Sequence, residues 1–354
     1  MDYSGKNQRS SSAPVTEIYM AGKASRHISD RLHILVVHQG AIGDLILSLP
    51  CFYALRTKFP SAHIEVMGYP RTLSLIHKRF YADDIVSVDR AWVASLYNED
   101  STLNNELIQY LQRFAKIVIF GGTAQAVVIN NIKRVNEQQD AFIIRTIPAS
   151  PAAQHIIDFQ LRQLAMHGFN TTTNTPTIYL SADDVNQAHS FFSQHGFNSQ
   201  RGLRIAIHPG SGSKHKNWML QNYCALIQEL YKRYAEPVLI VQGPAEYKEL
   251  QQLPELLCNT EYVVLNYLDL PVLAAILSRC NLYIGNDSGI THLAAAAGVP
   301  TIALFGPTDP HIWGPRGRQV FVVRELTAEG PGWKWCSTDA VKGVVLQVLG
   351  ESGF

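Results

Sequence analysis

The chain has 354 residues, of which 46% are hydrophobic, and its 30 Lys and Arg against 29 Asp and Glu give a formal net charge of +1. The length suggests two domains of ordinary size, and the balanced charge gives no sign of a nucleic-acid partner. No apolar run approaches the roughly 18 residues of a membrane-spanning helix, so we expect no transmembrane segment. The five cysteines lack the spacing of a disulfide framework, which is typical of reduced thiols in a cytosolic protein.

Residues 1–30 are polar and rich in serine, and they lack the apolar core of a signal peptide. We expect them to form a disordered N-terminal lead-in.

From residue 31 onward, short apolar runs alternate with segments of helical periodicity. The runs LHILVVH, HIEVMG, DIVSVD and KIVIFGG are predicted strands, and DLILSLPCFYALRTKF is a predicted helix that Pro50 should bend or begin. Near-continuous apolar strands separated by helices favour a buried parallel sheet with helices on both faces.

The polar segment FNTTTNTPTIYLSADD, residues 169–184, interrupts this pattern before a second series of strands and helices begins. We therefore predict an N-terminal domain over residues 31–182 and a C-terminal domain over 183–354, closed by a helix in STDAVKGVVLQVLG. The fold class is α/β with two Rossmann-like domains. Ligands of such sheets bind at the carboxyl ends of the strands, so two facing sheets predict an interdomain cleft.

The informative residues follow predicted strands. In HPGSGSKHKNW, residues 208–218, small residues allow backbone amides to approach a ligand, and Lys214 and Lys216 add positive charge. This combination suits a diphosphate. The alternative is a Ser/Gly loop with solvated lysines.

The segment GNDSGITHLAAAAGVP, residues 285–300, has the same organisation. Ser288 and Gly289 could donate backbone hydrogen bonds to phosphate, and His292 lies on the first turn of the following helix. The alternative for His292 is a packed or capping histidine. LFGPTDP, residues 304–310, forms a third turn at a strand end.

The segment VVHQGAIGDLILSLP, residues 36–50, places Asp44 at a Gly-x-x-Gly turn where a phosphate would normally be favoured. A helix N-cap is one explanation for the carboxylate. The signatures of dinucleotide-dependent dehydrogenases, P-loop ATPases and serine hydrolases do not occur. Asp-x-Asp and a zinc-ligand spacing are also missing, so we expect no metal site.

Together, GAIGDLILSLP, IHPGSGSKHKNW and GNDSGITHLAAAAGVPTIALFGPTDP resemble glycosyltransferase family 9, the ADP-heptose:lipopolysaccharide heptosyltransferases. The likeness covers about residues 32–345 in order and spacing. It implies the GT-B fold, with an N-terminal acceptor domain, a C-terminal nucleotide-sugar domain and an inverting mechanism without a catalytic metal or other cofactor.

The resemblance also implies roles for individual residues. Asp44 would be the general base that takes the acceptor hydroxyl proton, and Lys216 would contact the donor phosphates and assist catalysis. Glu246 would contact the ribose. The full set expected at the donor comprises Ser211, Lys214, Lys216, Trp218, Glu246, Asp287, Ser288, Gly289 and His292.

The acceptor half departs from the family pattern. Where family members often carry an Asp-rich strand such as DLVIDLQG, this chain has KIVIFGGTAQ with Gly121 and Gly122. The acceptor-side candidates are Gly40, Gly43 and Arg71, and Lys78 and Arg79 are further basic candidates for a phosphorylated acceptor.

The resemblance therefore predicts transfer of a heptose, or a related sugar, from ADP-heptose to a lipopolysaccharide-core or other glycan acceptor. It implies a cytoplasmic protein, with peripheral contact at the cytoplasmic face of the inner membrane. Two alternatives remain open, namely another GT-B chemistry such as epimerisation or hydrolysis, and a non-catalytic nucleotide-sugar sensor.

Overall fold

A computed structural model describes residues 31–99, 102–122, 125–148, 154–197, 202–244, 246–327 and 332–351. The lead-in predicted at residues 1–30 lies outside them. The described chain contains two larger sheets, each with helices between successive strands.

The first sheet has the order β3-β2-β1-β4-β5, and all its strand pairs are parallel. Its strands are β1 (His33–His38), β2 (His63–Gly68), β3 (Asp84–Ser87), β4 (Lys116–Gly121) and β5 (Asp140–Arg145). The helices along this part of the chain are α1 (Ile42–Lys58), α2 (Pro70–Leu73), α3 (Asn105–Leu111), α4 (Gln125–Val135) and α5 (Ile156–Met166), with a 3-10 helix at Ala91–Tyr97. We call this part the first half.

The second sheet has the order β11-β10-β9-β6-β7-β8 and is also parallel throughout. Its strands are β6 (Ile205–His208), β7 (Val238–Gln242), β8 (Tyr262–Asn266), β9 (Leu282–Asn286), β10 (Thr301–Leu304) and β11 (Val320–Val323). We call this sheet and its helices the second half.

The helices of the second half are α6 (Ala182–Gln194), α7 (Leu220–Tyr234), α8 (Tyr247–Leu250), α9 (Leu253–Leu256), α10 (Leu270–Leu277), α11 (Gly289–Ala296), α12 (Pro310–Trp313) and α13 (Thr338–Glu351). A 3-10 helix covers Lys214–Lys216, and β12 (Glu325–Leu326) pairs antiparallel with β13 (Trp333–Lys334).

The strand periodicity explains how the core is divided. Because successive side chains of a strand point to opposite faces, Ile34 and Val36 of β1 pack in the core beside α1, whereas Leu35 and Val37 pack in a separate core beneath α3 and α4. Pro50 is the ninth residue of the 17-residue α1, so the helix does not begin there.

The chain from Leu32 onward forms a single compact unit in which the two halves share one hydrophobic core. The boundary predicted between residues 182 and 183 falls at the first turn of α6 and stays a prediction. The segment before it contacts both halves, since Thr177 O accepts a hydrogen bond from the Tyr81 hydroxyl and Ile178 N donates to Ala296 O. The predicted closing helix is α13, which packs in the second half.

Candidate active site

A cavity of about 370 Å³ lies where the carboxyl ends of the two sheets meet. Residues after β1 and β2 line it from the first half, and residues after β6, β7, β8 and β9 line it from the second. The lining includes Ala41, Ile42, Gly43, Arg71, Thr72, His208, Ser211, Gly212, Gly243, Glu246, Tyr267, Ser288, Gly289 and Ile290. Several short loops from two parallel sheets thus form one site, as expected for ligands of such sheets.

Asp44 stands on the first turn of α1. It is the third residue of the helix rather than the N-cap, and its Oδ2 accepts a hydrogen bond from the backbone amide of Ala41 at 3.0 Å. Burial raises the pKa of Asp44 above its usual value, and the Ala41 amide and the positive charge of Lys216 oppose this shift. The side chain is therefore a half-buried carboxylate influenced by a lysine of the other half.

Lys216 is held at the site by an ion pair. Its Nζ lies 2.7 Å from Oδ2 of Asp287, a buried carboxylate oxygen that also accepts a hydrogen bond of 2.6 Å from the Thr308 hydroxyl. Thr308 belongs to the predicted third strand-end turn. The three turns of the second half that sequence patterns singled out therefore meet at one carboxylate.

The N-terminus of α11 opens onto the same cavity. Ser288 is the N-cap, and its Oγ accepts a hydrogen bond from the Thr291 amide. The first amides of a helix have no intrahelical acceptor, so Gly289 and Ile290, which line the cavity, present donors and a positive helix end to it.

The beginnings of α1 and α11 approach closely because both carry glycine. A Cβ added to Gly289 would lie 2.9 Å from the Cβ of Ile42 and 3.0 Å from the backbone nitrogen of Gly43. His292, in turn, would lie 3.3 Å from a Cβ at Gly43. The two halves thus meet directly beside Asp44.

Glu246 is buried beneath the loop after β6. Its Oε2 accepts a hydrogen bond of 2.8 Å from the Gly243 amide, and its Oε1 lies 3.5 Å from Nε2 of His208. Burial acts to raise the pKa of Glu246, but the hydrogen bond and charge of His208 and the Gly243 amide outweigh it, and the pKa is lowered overall. Glu246 is therefore an ionised acceptor at the cavity wall.

Comparison with known proteins connects this site to a family. A sequence profile described as glycosyltransferase family 9 (heptosyltransferase) matches residues 130–338, which is more than half of the chain. The chain belongs to glycosyltransferase family 9. It is a glycosyltransferase, as its resemblance to that family predicts.

Relatives and solved structures agree with the family. A lipopolysaccharide heptosyltransferase 3 of Escherichia coli is 23% identical over 289 residues, covering 77% of this chain and 83% of the relative. A lipooligosaccharide heptosyltransferase 2 of Haemophilus influenzae is 22% identical over 326 residues, covering 84% and 90%.

Among solved structures, a family 9 glycosyltransferase of Veillonella parvula has a TM-score of 0.74 at 21% identity, covering 90% of this chain and 97% of that one. The ADP-heptose heptosyltransferase II of E. coli has a TM-score of 0.71 at 17% identity, covering 91% and 100%. These likenesses confirm the predicted GT-B fold, with two Rossmann-like halves facing a cleft.

Within this family 9 chain, the structure brings most of the predicted donor residues together. Ser211 lines the cavity, and its hydroxyl lies 2.6 Å from Oδ1 of Asn217. His292 is buried at the base of the site, where burial lowers its pKa to about 4 despite the opposing charge of Asp287.

Two predicted donor residues lie elsewhere. The Trp218 ring is buried in the core of the second half, with its Nε1 donating to Cys336 O at 2.9 Å, so it supports the loop and does not line the cavity. Lys214 is 85% exposed and pairs with Glu249 at the surface. Lys216 is two residues further along the same 3-10 helix, and it pairs with Asp287 at the site.

The acceptor-side candidates also separate. Gly40 and Gly43 flank the turn before Asp44, and Arg71 lines the cavity from α2. Lys78 is exposed. Arg79 does not suit a phosphorylated acceptor, because its guanidinium forms a buried bidentate pair with Asp184 of α6.

Four polar residues that the sequence patterns did not single out support the site. Asn286 is fully buried; its Nδ2 donates to Pro209 O, and its Oδ1 accepts from the Trp218 amide. His208 and Thr308 contact the predicted acids directly, and His38 lies beneath Asp44. The only sequence signal for these four residues is that each is polar and lies at or just after the end of an apolar strand.

The described residues contain no group of three or more His, Cys, Asp and Glu side chains that could hold a metal ion. Among the described helices, none has the length and apolar character to cross a membrane.

Proposed function

We propose that the protein transfers a heptose from ADP-heptose to a sugar of the lipopolysaccharide core or another glycan, with Asp44 as the general base. One observation carries the proposal. A half-buried carboxylate of the first half, Asp44, lies close enough to Lys216 of the second half to be influenced by its charge, and Lys216 pairs with Asp287. The chain neighbours Gly43 and Ser288 line the adjoining cavity, which we assign to the nucleotide.

The donor assignment draws on the names of similar proteins. One solved E. coli neighbour is an ADP-heptose heptosyltransferase, and others are heptosyltransferases with ADP and with ADP-2-deoxy-2-fluoro heptose. The sequence relatives are lipopolysaccharide or lipooligosaccharide heptosyltransferases.

The chemistry is a single displacement at the anomeric carbon of the donor. The acceptor hydroxyl oxygen bonds to that carbon while the bond from the carbon to the terminal phosphate oxygen breaks. The hydroxyl proton passes to Asp44, and ADP leaves with the bonding electron pair. Attack on the face opposite the leaving group inverts the anomeric configuration.

Asp44 is suited to the role of base. Burial raises its pKa, which makes the carboxylate a better proton acceptor than a solvated aspartate. The Ala41 amide holds Oδ2, and among the described residues no hydrogen bond engages Oδ1. A carboxylate at this position would also stabilise the oxocarbenium character expected of a glycosyl transition state.

The charge that develops on the leaving diphosphate would be met by Lys216 and by the N-terminus of α11, with donors from the amides of Ser288 and Gly289. Ser211 and Gly212 line the same cavity. This arrangement supports a reaction without a tightly bound metal.

The nucleoside would occupy the part of the cavity at the ends of β7 and β8. Glu246 would accept hydrogen bonds from the ribose hydroxyls, and the apolar side chains Val241, Leu265, Leu270 and Leu273 would contact the base. The acceptor would approach from the side of Gly40, Gly43 and Arg71. For a glycolipid acceptor, the protein would work peripherally at the cytoplasmic face of the inner membrane.

The deciding experiment is Asp44→Asn. Asparagine keeps an oxygen for the Ala41 amide but removes the base, so we expect turnover to fall by about 10²- to 10⁴-fold while ADP binding stays unchanged. ADP release is measured with ADP-heptose and de-acylated lipopolysaccharide cores truncated at successive sugars. Wild-type turnover in the variant, or a product that retains the anomeric configuration by NMR, would contradict the proposal.

The donor is tested by thermal shift with ADP, UDP, GDP and CDP. A nucleotide that binds only the folded protein stabilises it by RT ln(1 + [L]/Kd). We expect ADP to give the largest shift, and a larger shift with another nucleotide would contradict the ADP-heptose assignment.

A further inference from the structure

Two polar side chains meet inside an otherwise apolar interface between β1 and α1. His38 is the last residue of β1 and follows Ile34 and Val36 on the face that packs beside the helix. Its side chain is buried, as is that of Ser48 on α1, and Nε2 of His38 lies 3.2 Å from Oγ of Ser48. The rings of Phe52 and Phe120 flank the imidazole.

The direction of the hydrogen bonds follows from the geometry. The Ser48 hydroxyl donates to the backbone carbonyl of Asp44 at 2.8 Å, so its oxygen is left as an acceptor for His38 Nε2–H. Nδ1 then carries no proton, and it has no partner among the described residues. Burial lowers the pKa of His38 to about 4, which keeps the ring neutral and this arrangement intact near neutral pH.

Packing alone does not account for this pair. A buried polar group costs free energy unless it is hydrogen-bonded, and an apolar pair of similar shape would avoid that cost. The bonds of His38 and Ser48 lead to one place, the first turn of α1, where the chain reverses from strand to helix.

The imidazole also contacts that turn sterically. A Cβ added to Gly40 would lie 2.8 Å from Cε1 of His38 and 2.5 Å from the Cβ of Asp44. Position 40 therefore has no room for a side chain, because the ring and the Asp44 side chain both occupy the space where its Cβ would lie.

We propose that His38 and Ser48 are positioning residues for the reaction, which fix the turn of residues 39–44 and hold the Asp44 carboxylate in the cleft. The inference rests on the proposed role of Asp44 as base. Neither residue exchanges a proton with the substrate. Their effect is on the placement of the base, to which reaction rates are sensitive at the scale of about 1 Å.

The test compares His38→Phe, which keeps a ring but removes the donor, with Ser48→Ala, which removes only a hydroxyl. His38→Gln, which retains an amide donor, is the conservative variant. Val37→Ala is the matched control, because it opens a cavity on the same strand but in the core on the opposite side of the sheet. Turnover, KM for ADP-heptose, ADP affinity and melting temperature are measured on the full chain.

We expect His38→Phe and Ser48→Ala each to lower kcat by roughly ten- to a hundredfold, with KM for ADP-heptose and ADP affinity nearly unchanged. The double variant should be no worse than the poorer single variant, because the two residues act as one unit. His38→Gln should recover part of the rate, and Val37→Ala should lose stability but not kcat.

Wild-type kcat in Ser48→Ala, or rate losses that Val37→Ala reproduces at equal loss of melting temperature, would overturn the inference. Asp44→Asn distinguishes a failure of the positioning role from a failure of the base assignment. If it is inactive while His38→Phe and Ser48→Ala are active, only the positioning role fails. If Asp44→Asn is fully active, the base assignment fails and the positioning role fails with it.

Discussion

Replacing Gly210 by alanine should weaken ADP binding by displacing a carboxylate that the substitution does not itself alter. A Cβ at position 210 would lie 2.0 Å from both Cγ and Oε1 of Glu246 and 2.2 Å from its Cδ. Such distances do not occur between non-bonded heavy atoms, so the Glu246 side chain must leave its position. Glu246 would then lose the hydrogen bond from the Gly243 amide and its contact with Nε2 of His208.

The size of the effect follows from what Glu246 is proposed to do. A hydrogen bond to a charged group contributes about 1.5–3 kcal/mol, and each 1.4 kcal/mol changes a dissociation constant about tenfold. Loss of the contact with the ribose should therefore weaken ADP binding by roughly 10- to 150-fold. Glu246→Ala should weaken it to a similar extent.

Titration calorimetry with ADP measures the change, and a glycine outside the cavity lining supplies the control. A Cβ at Gly343 of α13 would meet nothing within 4 Å, so Gly343→Ala should bind ADP as the wild type does. Equal ADP affinities for the two alanine variants would refute the reasoning, because only Gly210→Ala displaces Glu246.

Three further predictions concern charge. Lys216→Ala should weaken ADP binding and, by removing a charge that lowers the pKa of Asp44, move the acidic limb of the pH–kcat profile to higher pH. A histidine whose pKa is lowered on folding binds more protons in the unfolded state than in the folded state. The pKa of His38 falls from 6.5 to about 4 on burial. The free energy of unfolding should therefore decline by on the order of 3 kcal/mol as the pH falls from about 6.5 towards 4. Denaturant titrations should show a shallower decline in His38→Phe. Asp184→Asn should lower the free energy of unfolding by about 3–5 kcal/mol, because it leaves the charge of Arg79 buried without its partner.

A surface pair provides the control for the last of these. Lys342 and Glu229 also form a 2.6 Å ion pair, but both side chains are at least one-third exposed. Lys342→Ala should therefore change the free energy of unfolding far less than Asp184→Asn does. A loss as large as that of Asp184→Asn would show that exposure does not govern these pairs.

The sequence predicted the parallel sheets because their central strands are almost continuously apolar. β1, β2 and β4 are buried along most of their length, and so is β9 in the second half. Two strands of the larger sheets that were not predicted, β5 and β11, are at sheet edges and only partly buried. A partly covered strand shows a weaker apolar signal, which competes poorly with helix or turn assignments.

Some residues of the candidate site could be predicted because ligands of parallel sheets bind at the carboxyl ends of the strands. Asp44, Lys216 and Ser288 each follow a strand closely, and parallel strands bring such residues to one edge without further information. The ion pairs of Arg79 and Lys214 could not be foreseen from the sequence, because their partners, Asp184 and Glu249, lie on other elements. Asp184 is 105 residues from Arg79, and nothing near Arg79 indicates that its guanidinium is already paired.

Trp218 was predicted to contact the donor, but its ring is buried in the core of the second half. Its place in the loop is fixed by a hydrogen bond from its backbone amide to Asn286. The Asn286 side chain accepts hydrogen bonds from the Trp218 amide and the Tyr223 hydroxyl and donates to Pro209 O. It thereby fixes both ends of the loop that carries Lys216. The next residue, Asp287, binds the Lys216 ammonium group itself. Consecutive residues at the end of one strand thus hold the loop and its functional cation. The segment KNW, residues 216–218, therefore combines a cation at the site with an aromatic anchor that keeps the loop in place.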